Sequence, residues 1–170
     1  MFNNIYKDKK VLVTGHTGFK GTWLTTWLLK LGANVVGMSK DIPTTPSMFE
    51  ELKIRGKIKH YQEDIRDLSK VSEIITSEKP DFLFHLAAQA IVSTSYISPI
   101  ETITSNVIGT ANILETLKES NHKCTAIIIT SDKAYDNVEQ VWGYKEDDKM
   151  GGRDIYSGSK GAAELIIKSY

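Results

Sequence analysis

The sequence predicts an α/β fold, a doubly wound parallel sheet, and three observations carry that prediction. Short β-branched and apolar runs alternate with helical stretches along the chain, an order that implies right-handed βαβ crossovers and a sheet covered on both faces. The first such run, over 9–14, leads directly into the glycine turn Gly15-His16-Thr17-Gly18-Phe19-Lys20-Gly21 and then a helix. About 140 residues later, Tyr156-Ser157-Gly158-Ser159-Lys160 sets a tyrosine and a lysine four apart, on one face of a helix.

The run over 9–14 reads as a buried first strand. Over 19–31 the apolar residues fall at 19, 23, 24, 27, 28 and 31, a helical stripe closed by Gly32. Trp23 and Trp27 lie on that stripe, which predicts that they pack the helix against the sheet. A second strand follows over 34–38, and Pro43 and Pro46 make 42–47 a loop. A third strand spans 58–62, a helix 68–77 and a fourth strand 81–86. Pro99 suits a first helical turn and opens a long helix to about 120. The fifth strand covers 125–130, and after a loop through Gly151-Gly152 the last helix carries Tyr156 and Lys160. This is the doubly wound dinucleotide-binding, or Rossmann, plan. A complete fold of that kind needs at least one more strand, so residues 1–170 are expected to be the N-terminal, cofactor-binding part of a larger two-domain enzyme.

A chain of 170 residues with 41% hydrophobic and 25% charged residues has one-domain proportions. Lys+Arg and Asp+Glu balance at 21 each, which gives no argument for nucleic acid or an anionic membrane. Apolar runs such as 11–13 and 126–129 are far too short to span a bilayer. No apolar h-region follows Met1, so no secretory signal is expected. The single cysteine, Cys124, excludes an internal disulfide and fits a reducing cytoplasm.

In the glycine turn, Gly15 would allow the tight bend, Gly18 the approach of a pyrophosphate, and Gly21 close packing of helix on strand. The phosphates would meet unpaired N–H groups at the helix N-terminus. After the second strand, Ser39-Lys40-Asp41 offers Asp41 to the adenosine ribose, or Lys40 to a 2′-phosphate, and this leaves NAD against NADP open. Asp64-Ile65, after the third strand, would bond and pack against adenine. A free tyrosine phenol titrates near ~10 and is a poor base at neutral pH. The Lys160 ammonium beside Tyr156 would favour the phenolate, letting Tyr156 take a proton from a hydroxyl as hydride leaves its carbon. Ser131, at the end of the fifth strand, would hold the same hydroxyl. Asp132 and Lys133 add a second acid–base pair, as an elimination would need, although Asp132 is also an ordinary turn residue. His16, His60, His85 and His122 lack metal-type spacing, so no metal site is expected. His85 reads as a packing or backbone-bonding residue.

Taken together these residues resemble the extended short-chain dehydrogenase/reductase family, and within it the nucleotide-sugar 4,6-dehydratases that act on CDP-glucose. The resemblance is carried by residues 14–21, 64–67, His85-Leu-Ala-Ala-Gln89, Ser95-Tyr96 with Pro99, residues 106–110, 130–135, Trp142-Gly143-Tyr144 and 150–160. It implies NAD as cofactor, held by Gly15, Thr17, Gly18, Phe19, Gly21, Asp41, Asp64, Ile65, Leu86, Ala87, Ala88, Tyr156 and Lys160. It implies catalysis by Ser131, Asp132, Lys133, Tyr156 and Lys160, and substrate contacts from Gln89, Ser95 and Asn106. The reaction it implies is oxidation at C4, loss of water across C5 and C6 with Asp132 as acid, and return of hydride to C6. Most family members carry a glutamate where Lys133 stands, so Lys133 would be the C5 base only with a lowered pKa. The resemblance further implies a homodimer through the helix after Pro99 and the Tyr/Lys helix, and deoxysugar supply for a lipopolysaccharide O-antigen. A sibling epimerase, a GDP-mannose dehydratase and a non-catalytic nucleotide-binding module are the alternatives. Asp132 argues against a simple epimerase and Lys133 against a GDP-mannose dehydratase.

Overall fold

Residues 2–170 are described by a computed structural model. Five strands, β1 (Lys10–Thr14), β2 (Asn34–Met38), β3 (Lys59–Tyr61), β4 (Phe82–His85) and β5 (Thr125–Ile128), form one sheet in the order β3-β2-β1-β4-β5. Every pairing is parallel. Val11, Leu12 and Val13 are fully buried in β1, as expected of a central strand with both faces covered. The chain moves outward from β1 through β2 to β3, then crosses back to β4 on the other side of β1. The carboxyl ends of β1 and β4 therefore flank the crevice where such sheets bind ligands.

One sheet face packs Leu12, Val36, Met38 and Leu83 against α3 (Leu68–Glu78) and α6 (Gly109–Glu119), through Val71, Ile74, Ile75 and Ile113. Asp67 caps α3, its carboxylate accepting from the N–H groups of Ser69 and Lys70. The other face packs Val11, Val13 and Val35 against Leu28 of α1 (Phe19–Lys30), with Phe82 and Phe84 only partly covered.

The expected orientation of α1 is corrected. Its buried face consists of Gly21, Thr22, Thr25 and Leu28, while Phe19, Trp23 and Trp27 are 72%, 57% and 47% exposed. Gly21 lies so close to the turn that an added Cβ would collide with the Gly15 carbonyl. The helix must therefore approach the sheet through small residues, and the tryptophans, more than a quarter turn away, face outward. The Trp27 ring packs instead on Phe2, with centroids 5.5 Å apart.

Three other features differ from expectation. The segment after the proline loop forms α2 (Met48–Glu51), capped by Ser47, and a 3-10 turn over Ile54–Lys57. A helix α4 (Val92–Ile97) precedes α5 (Pro99–Ile103). The expected long helix after Pro99 continues from α5 into α6 but widens to a π-helical turn over Thr104–Ile108. Asn106, within that turn, accepts from the Gln89 backbone N–H and donates to its carbonyl and to Ser159. These bonds give the extra residue a reason to be there.

Candidate active site

The glycine turn is fixed from several sides. Gly15 has φ +72°, and an added Cβ would stand 2.7 Å from the Ala87 nitrogen, so both conformation and space demand glycine there. Gly18 differs, because a Cβ would meet only the Gly15 carbonyl at 3.4 Å, an ordinary contact. Its openness is not required by the protein's own packing and is left to whatever approaches from outside. No side chain caps the N-terminus of α1, so its first N–H groups are free to meet an anion. Thr17 is buried; its hydroxyl donates to the Asp41 carbonyl at 2.7 Å and its N–H reaches Ser39 Oγ at 3.4 Å. Phe19 is largely exposed beside the turn. These features fit the pyrophosphate of a dinucleotide.

At the adenosine end, the Asp41 side chain is exposed. Lys40 is paired with Glu101 at 2.9 Å, which draws the one cation of Ser39-Lys40-Asp41 toward α5. Asp64 accepts from the Arg66 guanidinium and backbone N–H, and these bonds hold its carboxyl below the usual carboxylate range. The Ile65 side chain is a core residue, so it offers adenine only its backbone; the expected packing surface is corrected.

At the switch point, Thr14 Oγ1 lies 2.7 Å from His85 Nδ1 and accepts the Ala87 N–H at 3.2 Å, and His85 Nε2 lies 3.1 Å from Thr110 Oγ1. His85 thus bonds side chains rather than backbone. Burial first, and then the Lys160 charge, push its imidazole down to about 3, so it is a neutral clamp. Leu86, Ala87 and Ala88 follow it, half-buried along the crevice.

Tyr156 and Lys160 stand on α7 (Ile155–Ser169), whose N-terminus is capped by Asp154 accepting from the Ser157 N–H at 2.9 Å. Lys160 Nζ is 6.0 Å from the Tyr156 ring centre, and both side chains are buried. Burial lowers the Lys160 ammonium to about 8; Glu164 opposes the shift and Lys20, on the glycine turn, adds to it. The Lys160 charge is thus within electrostatic reach of both His85 and Lys20. The Thr130 hydroxyl donates to Glu164, tying the end of β5 to the turn of α7 beyond Lys160.

Ser131 caps a 3-10 turn that holds Asp132 and Lys133 and packs against α7. Ser131 Oγ accepts the Lys133 N–H at 3.2 Å and donates to Asp132 at 3.1 Å, while the Asp132 and Lys133 side chains face solvent. The expected substrate contacts divide. Gln89 is half-buried, its amide spanning Ile91 and Thr102. Ser95 is fully buried and donates to the Val92 carbonyl, and Asn106 is spent on Gln89 and Ser159. In this structure the polar groups of these two are bonded within the protein. The histidine pair His16–His60 went unseen in the sequence, since 44 residues separate two side chains whose nitrogens lie 2.8 Å apart. Among the described residues, no group of three His, Cys, Asp or Glu side chains is placed to hold a metal. No helix among them is long and apolar enough to cross a membrane.

Comparison with known proteins follows this geometry. The chain is 48% identical over 167 residues to CDP-glucose 4,6-dehydratase of Salmonella typhimurium, a match covering 98% of this chain and 46% of that protein. Its fold superposes on an epimerase from Methanothermobacter thermautotrophicus with a TM-score of 0.84 at 26% identity, over 98% of this chain and 48% of the other. It also matches UDP-glucose 4-epimerase of Thermus thermophilus, solved with NAD, with a TM-score of 0.81 at 25% identity, over 95% and 50%. The chain spans about half the length of the curated relatives it matches. A family model described as GDP-mannose 4,6 dehydratase matches residues 12–170. From the middle of β1 to the end of α7, this chain belongs to that family, within the extended short-chain dehydrogenase/reductases.

Proposed function

We propose that this chain is the N-terminal, NAD-binding and catalytic part of a nucleotide-sugar 4,6-dehydratase acting on CDP-glucose. The observation that carries the reading is the buried Tyr156/Lys160 pair on one helix face, with the Lys160 ammonium within electrostatic reach of Lys20 at the glycine turn. The 48% identity to a CDP-glucose 4,6-dehydratase supports the choice of sugar nucleotide. Gly15, Gly18, the free N–H groups of α1 and Asp41 would hold NAD. The commitment of Lys40 to Glu101 favours NAD over its 2′-phosphate. NAD supplies an acceptor for the C4 hydride and a donor for its return to C6.

The chain's own residues supply the proton transfers. Tyr156 takes the C4 hydroxyl proton, and the Lys160 ammonium stabilises the phenolate that makes this possible. Ser131 holds that hydroxyl. Asp132 protonates the departing C6 hydroxyl and Lys133 removes the C5 proton, so that water leaves across C5–C6, and Lys133 then returns a proton to C5 as hydride reaches C6. Both face solvent and would exchange these protons with water between turnovers. Incubation of the full-length protein with NAD and CDP-glucose should give a 4-keto product with alkaline absorbance. Product from GDP-mannose or dTDP-glucose instead would refute the assignment of substrate, and NAD binding without any product would leave only a nucleotide-binding module.

A second copy of the chain is the partner we assign to the exposed apolar face of α4, α5 and α7, which includes Tyr96, Ile97, Ile100 and Leu165. Beside it Gly158 and Ala162 line an open groove of about 620 Å³ with Tyr96, Ile103 and Val107. Light scattering should report a dimer, and Ile97→Lys with Ile100→Lys a monomer. The assigned compartment is the reducing cytoplasm: Cys124 is half-buried, and burial and then Asp81 raise its thiol to about 11, leaving it unreactive.

A further inference from the structure

We infer that His16 is a positioning residue for the dinucleotide, one that holds the glycine turn in its receiving shape from behind without touching the ligand. The inference rests on the reading that this turn binds NAD. His16 lies between Gly15 and Thr17, yet its side chain points into the fold and is fully buried. Its Nδ1 is 2.9 Å from Ser39 Oγ, just past β2, and its Nε2 is 2.8 Å from His60 Nδ1 on β3. Phe49 of α2 meets the ring edge-on at 5.2 Å.

The space for that ring is made by Gly37. In the middle of a buried strand a β-branched residue is usual, and a glycine there marks a close approach. A Cβ on Gly37 would stand 2.5 Å from His16 Cδ2 and Cγ. The rest of the turn is fastened to the same strand end. The Gly15 N–H donates to the Met38 carbonyl at 2.8 Å and the Thr17 hydroxyl to the Asp41 carbonyl, while from α1 the Thr22 hydroxyl donates to the His16 carbonyl at 3.0 Å.

The hydrogen bonds form a chain. The Thr17 N–H donates to Ser39 Oγ, and the chain continues from the Ser39 hydroxyl to His16 Nδ1 and from His16 Nε2 to His60 Nδ1, one proton lying in each contact. The ring-to-ring contact needs one of its two nitrogens bare, so it does not hold with both imidazoles charged. The surroundings keep them neutral. Burial, then His60, lower His16 to about 4, and burial, then Arg55 of the 3-10 turn, lower His60. Asp41 shares with Arg55 and His60 a cavity of about 160 Å³; α2 contributes the uncharged Phe49, and β2 the Met38 carbonyl. Acid would therefore loosen the turn before it reaches the catalytic pair.

The test is the NAD dissociation constant of the full-length protein and its His16→Ala, Gly37→Ala and His60→Asn variants, measured across pH with a melting curve for each. His16→Ala and Gly37→Ala should remain folded and bind NAD about tenfold or more weakly, with the KM for CDP-glucose unchanged. Wild-type affinity should fall as pH drops below about 6 toward about 4, and His60→Asn, whose amide can meet His16 without titrating, should flatten that fall. Folded variants with NAD affinity within about twofold of wild type would overturn the inference. So would a pH profile that His60→Asn leaves unchanged, and that profile decides alone should His16→Ala not fold. A wild-type protein that binds no NAD would instead sink the cofactor reading, and this inference with it.

Discussion

The ammonium of Lys160 stands 6.0 Å from the centre of the Tyr156 ring, with 5% of the lysine and 8% of the tyrosine exposed. Burying an ammonium beside a phenol is unfavourable for the fold and useful for proton abstraction. Lys160 is lowered to about 8 chiefly by burial, so the folded state holds its proton less tightly than the unfolded chain. That difference lowers stability at neutral pH and vanishes as pH rises past the unfolded value.

Lys160→Met should therefore separate stability from activity. We expect unfolding free energy to rise by about 2 kcal/mol at neutral pH while kcat falls at least about a hundredfold. Urea unfolding and product assays on the same preparation check both. A variant that is both less stable and inactive would show that Lys160 is chiefly structural.

Tyr156→Phe keeps the ring and removes the proton acceptor. The expected result is a kcat lower by about a thousandfold, with NAD affinity and melting temperature near wild type. Isothermal titration and a thermal melt establish that only the chemistry has changed.

The glycines of the turn should respond differently. Gly21→Ala drives a Cβ into the Gly15 carbonyl and should destabilise the fold by about 2 kcal/mol. Gly18→Ala has φ −72° and only an ordinary contact at 3.4 Å. It should leave stability within about 0.5 kcal/mol yet weaken NAD binding, because its methyl would fill the space meant for the pyrophosphate. Denaturation midpoints beside NAD titrations distinguish the two.

Acid should destabilise the protein earlier than its carboxylates alone would. Burial is the largest cause in holding His16 at about 4 and His85 at about 3, against 6.5 for a free imidazole. Below 6.5 the unfolded chain takes up protons that the folded chain refuses, so stability is full above that pH and falls beneath it. Each imidazole contributes about 1.4 kcal/mol per pH unit within its window. Glu78, held near 2 by hydrogen bonds from Lys59, Tyr61 and Lys10 against its own burial, adds its loss only below 4.5. Urea midpoints measured between pH 6.5 and pH 4.5 should already decline, and a flat profile there would contradict the neutral-imidazole reading.

The succession of strands and helices and the shared helix face of Tyr156 and Lys160 were legible because each depends on local pattern: a β-branched run into glycines, and a four-residue helical spacing. The face of α1 was not. The apolar stripe through Trp23 and Trp27 pointed one way and the close-packing role of Gly21 another, and the steric demand of the glycine overrode the hydrophobic count. The π-helical turn at Thr104–Ile108 was also hidden. It exists to bring Asn106 onto Gln89 and Ser159, contacts across 17 and 53 residues that no local period records. Ser95 and Asn106 were assigned to substrate because family motifs mark them as special without saying whether they brace or bind.

The most direct test is the fate of a deuterium placed at C4 of CDP-glucose when the full-length protein turns it over with NAD. The account predicts that the label appears at C6 of a 4-keto-6-deoxy product, as read by NMR. Label returned to C4 with inverted configuration, or left in unreacted sugar, would contradict it.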